Sequence, residues 1–155
     1  MNIVITAPNE EYSIANANNI KLFLAGGITG CPDWQSELLE KIENIDNLTI
    51  YNPRRKKFPA HAAEEQIVWE FIHLLQADII VFWFSKNTLN PIVLLELGRY
   101  GLSGDKPIII GIDSDYERTA DVIIQTQLSR PDIKEIYTSI PAMAEAIREL
   151  TDGNL

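Results

Sequence analysis

Glu96 is the residue of this sequence whose setting most strongly suggests chemistry. It lies in the almost wholly apolar segment 91–98 (PIVLLELG), and a helix there, at about 100° per residue, turns it toward the sheet together with Val93 and Tyr100. Burying an unpaired carboxylate costs several kcal/mol. Because such acids occur both in active sites and in structural ion pairs, a catalytic role and a pairing role stay open. Candidate pairing partners are Arg54, Arg55, Arg99 and Arg118.

A second acid, Glu70, gives Glu96 a possible chemical partner. Glu70 falls on the flank of a predicted helix over residues 63–76, beside Ile67 and Leu74. Alone, this position is typical of a solvated carboxylate. Retaining glycosyl transfer, however, uses two carboxyl groups, one as nucleophile and one as acid/base. The two glutamates together therefore predict attack on a glycosidic carbon.

Two loops after predicted strands offer binding groups. Gly26 and Gly27 follow the first long apolar run and allow close approach of backbone to a ligand, although no GxGxxG fingerprint is present. Asn52, Arg54 and Arg55 follow the second run, in the sequence NPRR. Arginine suits bidentate binding of phosphate, so this loop predicts a sugar or anion contact, with a basic surface turn as the alternative.

Short apolar runs predict the strands that position these residues. Four runs rich in β-branched or aromatic residues are typical of strands covered on both faces. They are residues 21–25, 48–51, 79–84 and 107–111. A weaker run at 134–138 (KEIYT) predicts a fifth strand, and residues 2–6 (NIVIT) predict a possible extra edge strand.

Segments of helical period separate these runs. They cover residues 34–45, 63–76, 91–100, 121–128 and 142–150. Asn90 followed by Pro91 predicts an N-cap with proline at the first helical position. Regular alternation predicts one α/β domain, a doubly wound, flavodoxin- or Rossmann-like, three-layer fold with a mainly parallel five-stranded sheet. We expect residues 20–150 to form its core, residues 1–19 an N-terminal extension, and ligands to bind outside the carboxyl ends of the strands.

Composition excludes several classes of function. The chain has 155 residues, a formal net charge of -9 and no cationic run longer than Arg54–Lys57 (RRKK), so it is a poor candidate for a nucleic acid duplex. One cysteine rules out an intrachain disulfide, and His61 and His73 lack metal-site spacing. No segment reaches membrane-spanning length, so we expect a cytoplasmic protein without a bound metal. Trp69 is predicted to face away from the core, which suggests an oligomer contact.

Several of these pieces together resemble the nucleoside 2-deoxyribosyltransferase-like family. They are the strand ending in LFLAGG, the helix carrying WE that runs into ADIIVFW, and the Asn-Pro-initiated LLELG, within roughly residues 20–128. The resemblance implies that Glu96 attacks the anomeric carbon and that Glu70 is the family's acid in the preceding helix. It also shows two departures: Asn90 stands where another family acid lies, and Phe23 where the well-known transferases have a tyrosine.

The resemblance implies cleavage or transfer of an N-glycosidic bond in deoxynucleosides or deoxynucleotides, without a cofactor. Ionised Glu96 would attack C1′, Glu70 or a water would protonate the base, and Asn90 would orient the substrate. One alternative is a 2′-deoxynucleoside 5′-monophosphate N-glycoside hydrolase, favoured if the NPRR loop faces the site. Another is a nucleotide-binding sensor without catalysis. Family transferases tend to complete a neighbour's site with C-terminal residues, for which 152–155 (DGNL) show no clear equivalent; a homo-oligomer, dimer or higher, is expected.

Overall fold

Five parallel strands form the sheet of this protein. The computed structural model describes residues 2–10 and 17–153. The strands are β1 (Ile3–Thr6), β2 (Ile20–Gly26), β3 (Leu48–Asn52), β4 (Ile79–Phe84) and β5 (Ile108–Ile112). Their spatial order is β1-β3-β2-β4-β5, and every neighbouring pair is parallel. With helices on both faces of the sheet, the predicted three-layer α/β fold is confirmed.

In the described residues, one α-helix follows each of β2, β3 and β4, and two follow β5. They are α1 (Trp34–Ile42), α2 (Ala63–Gln76), α3 (Pro91–Glu96), α4 (Thr119–Ser129) and α5 (Ile140–Asp152). Each lies where helical period predicts one. Only α3 differs in kind, because it continues as a π-helix over Leu97–Gly101.

The identity of the fifth strand differs from the prediction. Residues 3–6 form it, as β1 pairs in parallel with β3. The predicted strand at 134–138 is wrong: it makes a single bridge, between Tyr137 and Gly111. Ile136 and Tyr137 pack against the core, whereas Lys134 and Glu135 are exposed, so the first half of the segment lacks the buried side chains that would extend the pairing. Of the predicted N-terminal extension, residues 1 and 11–16 lie outside the described part of the chain.

The two faces of the sheet bury alternate residues of each strand. In β2, Leu22 and Leu24 pack toward α1 and α5, whereas Phe23 and Ala25 pack toward α2 and α3. Strand β4 alternates in the same way. The residues of each strand that face either side of the sheet are therefore apolar, which explains the continuous apolar runs in the sequence.

The buried side of α2 is not the one that its apolar residues predict. Trp69 is buried, stacks on His73 with ring centroids 4.0 Å apart, and donates from Nε1 to the Asn9 carbonyl oxygen at 2.7 Å. Ile67 and Leu75 are exposed instead. The prediction that Trp69 faces away from the core is wrong, because its ring packs against Phe23 and Tyr51 of the sheet while the Asn9 carbonyl oxygen accepts its indole hydrogen bond.

Candidate active site

A cavity opens where the strand order reverses. The chain moves from β2 outward to β3 and then crosses to β4 on the other side of β2. In doubly wound folds, ligands bind at this point, outside the carboxyl ends of the strands. The cavity has a volume of about 420 Å³. Its walls are mainly apolar with a few polar groups: Phe23, Ala25, Gly26, Gly27, Ile28, Thr29, Pro53, Arg55, Phe58, Gln66, Glu70, Thr88, Asn90, Pro91, Ile92, Val93 and Glu96.

Glu96 lies at the cavity wall as the last residue of α3, with 8 % of its surface exposed. Pro91 at the first helical position starts the helix immediately after the loop that follows β4. The chain then changes to a π-helix, in which a Cβ on Gly101 would collide with the Leu97 side chain at 2.9 Å and lie 3.0 Å from the Phe82 ring of β4. Single π-helical turns are frequent at functional sites. Here the turn begins directly after the buried carboxyl.

No arginine pairs with Glu96. Within residues 2–10 and 17–153, the side chain of Glu96 makes neither a salt bridge nor a hydrogen bond. The candidate partners have other contacts: Arg54 pairs with Asp33, Arg55 with Glu65 and Arg118 with Asp121, while Arg99 lies over the rings of Phe71 and Tyr100. The interpretation of Glu96 as a structural ion-pair member is therefore wrong.

Glu70 enters the same cavity from α2. Its carboxyl is half-buried and accepts a hydrogen bond of 2.8 Å from Nε2 of Gln66, one turn earlier in the helix. Glu70 and Glu96 both line the cavity and repel one another electrostatically. The structure thus brings together the two acids that the sequence singles out.

The two carboxyl groups do not ionise independently. Burial, and then the charge of Glu70, raise the pKa of Glu96 to about 8. Burial also raises the pKa of Glu70, against a lowering effect from the Gln66 hydrogen bond. With a pKa of about 8, Glu96 holds its proton at neutral pH, mainly because it is buried, and repulsion from the Glu70 charge adds to this effect. The hypothesis of an ionised Glu96 at pH 7 therefore requires this proton to reside on Glu70.

The adjacent arginines of the NPRR loop have different environments. Arg54 does not line the cavity: its Nη2 lies 2.8 to 3.4 Å from the carbonyl oxygens of Gly27, Ile28, Cys31 and Pro32, and its Nε donates to Gln35. Arg55 does line the cavity, pairs with Glu65 at 2.9 Å and lies over the Phe58 ring. Arg54 fixes the loop after β2, and Arg55 is the cation of this loop that a ligand can meet.

The two predicted asparagines also differ in position. Asn52 is buried outside the cavity lining, where its Oδ1 accepts a hydrogen bond from the Arg54 backbone. Asn90 lines the cavity in a left-handed conformation with φ 49°. It precedes α3 as predicted, but its side chain does not cap the helix. Its amide donates instead to the Ser85 and Thr88 carbonyl oxygens at 2.8 Å, because the turn after β4 needs those acceptors satisfied.

Gly26, the last residue of β2, and Gly27 make room for neighbouring side chains. A Cβ on Gly26 would collide with the Trp34 ring, and one on Gly27 with Asn90 and Cys31. Both glycines line the cavity, so their predicted proximity to a ligand is retained. Tight packing of neighbouring side chains explains why no larger residue fits at either position.

Two residues of this site escape prediction from the sequence. Gln66 is buried in the cavity wall, and Phe58 lies at its edge with 58 % of its surface exposed. The spacing of Gln66, four positions before Glu70, is a signal for contact in a helix. Nothing in the sequence near Phe58 marks it.

The described residues offer neither a metal-binding cluster nor a membrane-spanning helix. No group of three or more histidine, cysteine, aspartate or glutamate side chains among them could hold a metal ion. None of the helices in residues 2–10 and 17–153 is long and apolar enough to cross a membrane.

Comparison with known proteins gives one match. Residues 19–116 match the family model described as nucleoside 2-deoxyribosyltransferase like. This segment is more than half of the chain and contains every residue that lines the cavity. No curated protein matches the chain.

Proposed function

The chain belongs to the nucleoside 2-deoxyribosyltransferase-like family, and we propose that it breaks the N-glycosidic bond of deoxynucleosides or deoxynucleotides with Glu96 as nucleophile. One observation carries this proposal. Glu96 is a buried carboxyl without a cation, and it shares a cavity with a second carboxyl, Glu70. Such a pair is unfavourable for stability but suited to retaining glycosyl transfer.

The proposed reaction begins from the singly protonated pair. With the proton on Glu70, a carboxylate oxygen of Glu96 attacks C1′ and forms an ester as the C1′–N bond breaks. The electron pair of that bond goes to the base nitrogen, which Glu70 protonates directly or through water. A second base or a water then attacks C1′, gives its proton to Glu70 and releases Glu96. Transfer results from the base, and hydrolysis from water.

Arg55 favours a substrate that carries a 5′-phosphate. It is the arginine of the NPRR loop that lines the cavity, and guanidinium groups bind phosphate well. The alternative function is therefore a 2′-deoxynucleoside 5′-monophosphate N-glycoside hydrolase. In an Arg55→Met variant, the ratio of kcat/KM for monophosphates to kcat/KM for nucleosides should fall by about tenfold or more. Equal losses on both substrate classes would argue against a phosphate contact.

We also propose that a second copy of this chain covers α2 and α3. Both helices expose large apolar side chains, an arrangement typical of an interface. These are Ile67, Val68, Phe71, Ile72, Leu75, Ile92 and Leu95. Ile92 also lines the cavity, so such an interface would close part of its mouth. Light scattering should give a dimer or larger for the parent and a monomer for Phe71→Glu; a monomeric parent would contradict this.

The test of the proposed function is release of free base. Purified protein is incubated with a panel of deoxynucleosides and their 5′-monophosphates, with and without a second base, beside a Glu96→Gln variant. Base exchange identifies a transferase, and release from one substrate alone identifies a hydrolase. Thermal stabilisation by ligands with no turnover of any substrate would contradict catalysis and support the sensor alternative.

A further inference from the structure

Gln66 connects the acid Glu70 to the loop after β3. It lies on α2 with 6 % of its surface exposed. Its Nε2 donates to Glu70 Oε1 and to the Pro53 carbonyl oxygen, both at 2.8 Å. The amide thus joins a helix, a loop and a candidate catalytic group inside the cavity wall.

The orientation of this amide is fixed by the chemistry of its partners. A carbonyl oxygen such as that of Pro53 only accepts hydrogen bonds, so Nε2 and not Oε1 must face it. A flipped amide would place its oxygen against two acceptors. In the observed orientation both hydrogens of Nε2 are used, while Oε1 of Gln66 is buried and has no hydrogen-bond partner within the described residues. Leaving an acceptor unsatisfied has a cost, which is consistent with an orientation set by the two donor contacts.

This orientation distinguishes the two oxygens of Glu70. Oε1 accepts a hydrogen bond from Gln66. In a protonated carboxyl group the carbonyl oxygen is a better acceptor than the hydroxyl oxygen, so this bond favours Oε1 as the carbonyl oxygen and the proton on Oε2. We propose that Gln66 is a positioning residue that holds Glu70 in the cavity and assigns its transferable proton to Oε2. The inference rests on the proposed function for its catalytic meaning, but not for the hydrogen bond itself.

The charged groups around Glu70 come from three elements. Glu96 faces it from α3, Arg55 lines the same cavity from the loop after β3, and Glu70 itself lies on α2. Gln66 carries no charge, so its replacement by an uncharged side chain leaves these charges in place. A change in the ionisation of Glu70 would then report the lost hydrogen bond.

The experiment compares Gln66→Met with the parent and with Gln125→Met, an exposed glutamine on α4 that serves as the matched control. Carbon-detected NMR follows the carboxyl carbons of labelled glutamate as pH changes. The Gln66 hydrogen bond lowers the pKa of Glu70, so we expect Glu70 to titrate at higher pH in Gln66→Met and at the parental pH in Gln125→Met. An unchanged Glu70 titration in a folded Gln66→Met would overturn the proposal.

Kinetics and a measurement on the parent complete the test. In Gln66→Met we expect kcat to fall by about tenfold, KM to stay nearly constant, and the acid limb of the pH profile to move to higher pH. If Gln66→Met fails to fold, the test is made on the parent, where the side-chain amide signals of Gln66 must shift as Glu70 titrates. Amide signals that do not change during this titration would refute the contact. A parent without turnover would contradict the proposed function, whereas these NMR results would still decide the role of Gln66.

Discussion

The helices on the two faces of the sheet differ in which side chains they bury and which they expose. On one face, α1 and α5 bury apolar side chains such as Leu38 and Met143. Although α1 also buries the polar Gln35, neither helix exposes a large apolar side chain among the described residues. On the other face, α2 and α3 bury the polar Gln66 and Glu96, while apolar side chains of the same helices are exposed. One face follows the usual partition of polar and apolar residues, and the other partly inverts it.

The inverted face is where the candidate chemistry lies. Local rules of stability are commonly broken at functional sites. A carboxyl in the cavity wall of α3 and apolar residues on the surface of α2 each make the isolated chain less stable. We propose that the first serves a reaction that needs a poorly solvated acid, and that the second is a partner surface. The comparison therefore predicts which substitutions alter function and which alter stability.

The largest expected effect is that of Glu96→Gln. The substitution keeps the shape of the side chain but removes the nucleophile, so base release should fall by at least about a thousandfold. Chromatography of free bases measures this change. A variant that keeps a tenth or more of parental activity would show that Glu96 is not the attacking group.

Glu70→Gln should have the next largest effect. Loss of the proton donor should reduce kcat/KM by about a hundredfold and change the pH profile. In the parent, we expect a bell with its alkaline limb near pH 8, where the pair loses its last proton. In the variant, activity should rise as Glu96 ionises, and this should happen below pH 8 because the Glu70 charge is gone. At alkaline pH the activity should then stay constant and not fall. An identical bell in both proteins would contradict the shared proton.

Matched leucine truncations test the difference between the faces directly. Leu38→Ala on α1 removes a fully buried side chain and should cost about 2–5 kcal/mol of unfolding free energy. Leu75→Ala on α2 truncates a side chain that is 57 % exposed, and at concentrations where the protein is monomeric it should change stability by less than about 0.5 kcal/mol. Urea denaturation measures both. Similar losses would show that the α2 face is packed within the monomer.

The last expected effect is the dependence of stability on pH. The pKa of Glu96 is raised to about 8 in the folded protein, so the folded state keeps a proton that the unfolded chain releases at lower pH. The free energy of unfolding should therefore fall as pH rises from the ordinary glutamate range toward 8. In Glu96→Gln this decline should be smaller, which thermal melts between pH 5 and pH 9 would reveal. A parental slope in the variant would exclude Glu96 as its source.

The sequence predicts the fold well for a physical reason, and it singles out two acids that line one cavity. Strands buried on both faces must be apolar throughout, so four of the five strands are visible in the sequence as apolar runs. Glu96 is conspicuous because it interrupts the apolar helical segment 91–98. Parallel topology then requires the loops after β2 and β4 to meet at one edge. This topology places the start of α3, and with it Glu96, near that edge. Glu70 lies two turns into α2, so its presence in the same cavity depends on how α2 packs.

The remaining errors arise where tertiary contacts override local pattern. Helical period places Ile67 and Leu75 in the core, but Trp69 and His73 lie there instead because backbone oxygens satisfy their polar atoms. Arg54 and Arg55 are neighbours of one type, and only the position of the loop carbonyls separates their roles. Contacts between residues distant in sequence decide both cases, and no local signal encodes them.

The central claim, that Glu96 forms a covalent ester with the sugar, is tested most directly by trapping that ester. Protein is mixed with a deoxynucleoside or its monophosphate that the base-release panel identifies as a substrate, quenched in acid at short times, digested and analysed by mass spectrometry. We predict that the peptide containing Glu96 gains the mass of one deoxyribosyl group, or of its phosphate ester, and that Glu96→Gln gains nothing. Rapid base release with no adduct on that peptide, or with an adduct on Glu70, would contradict the account.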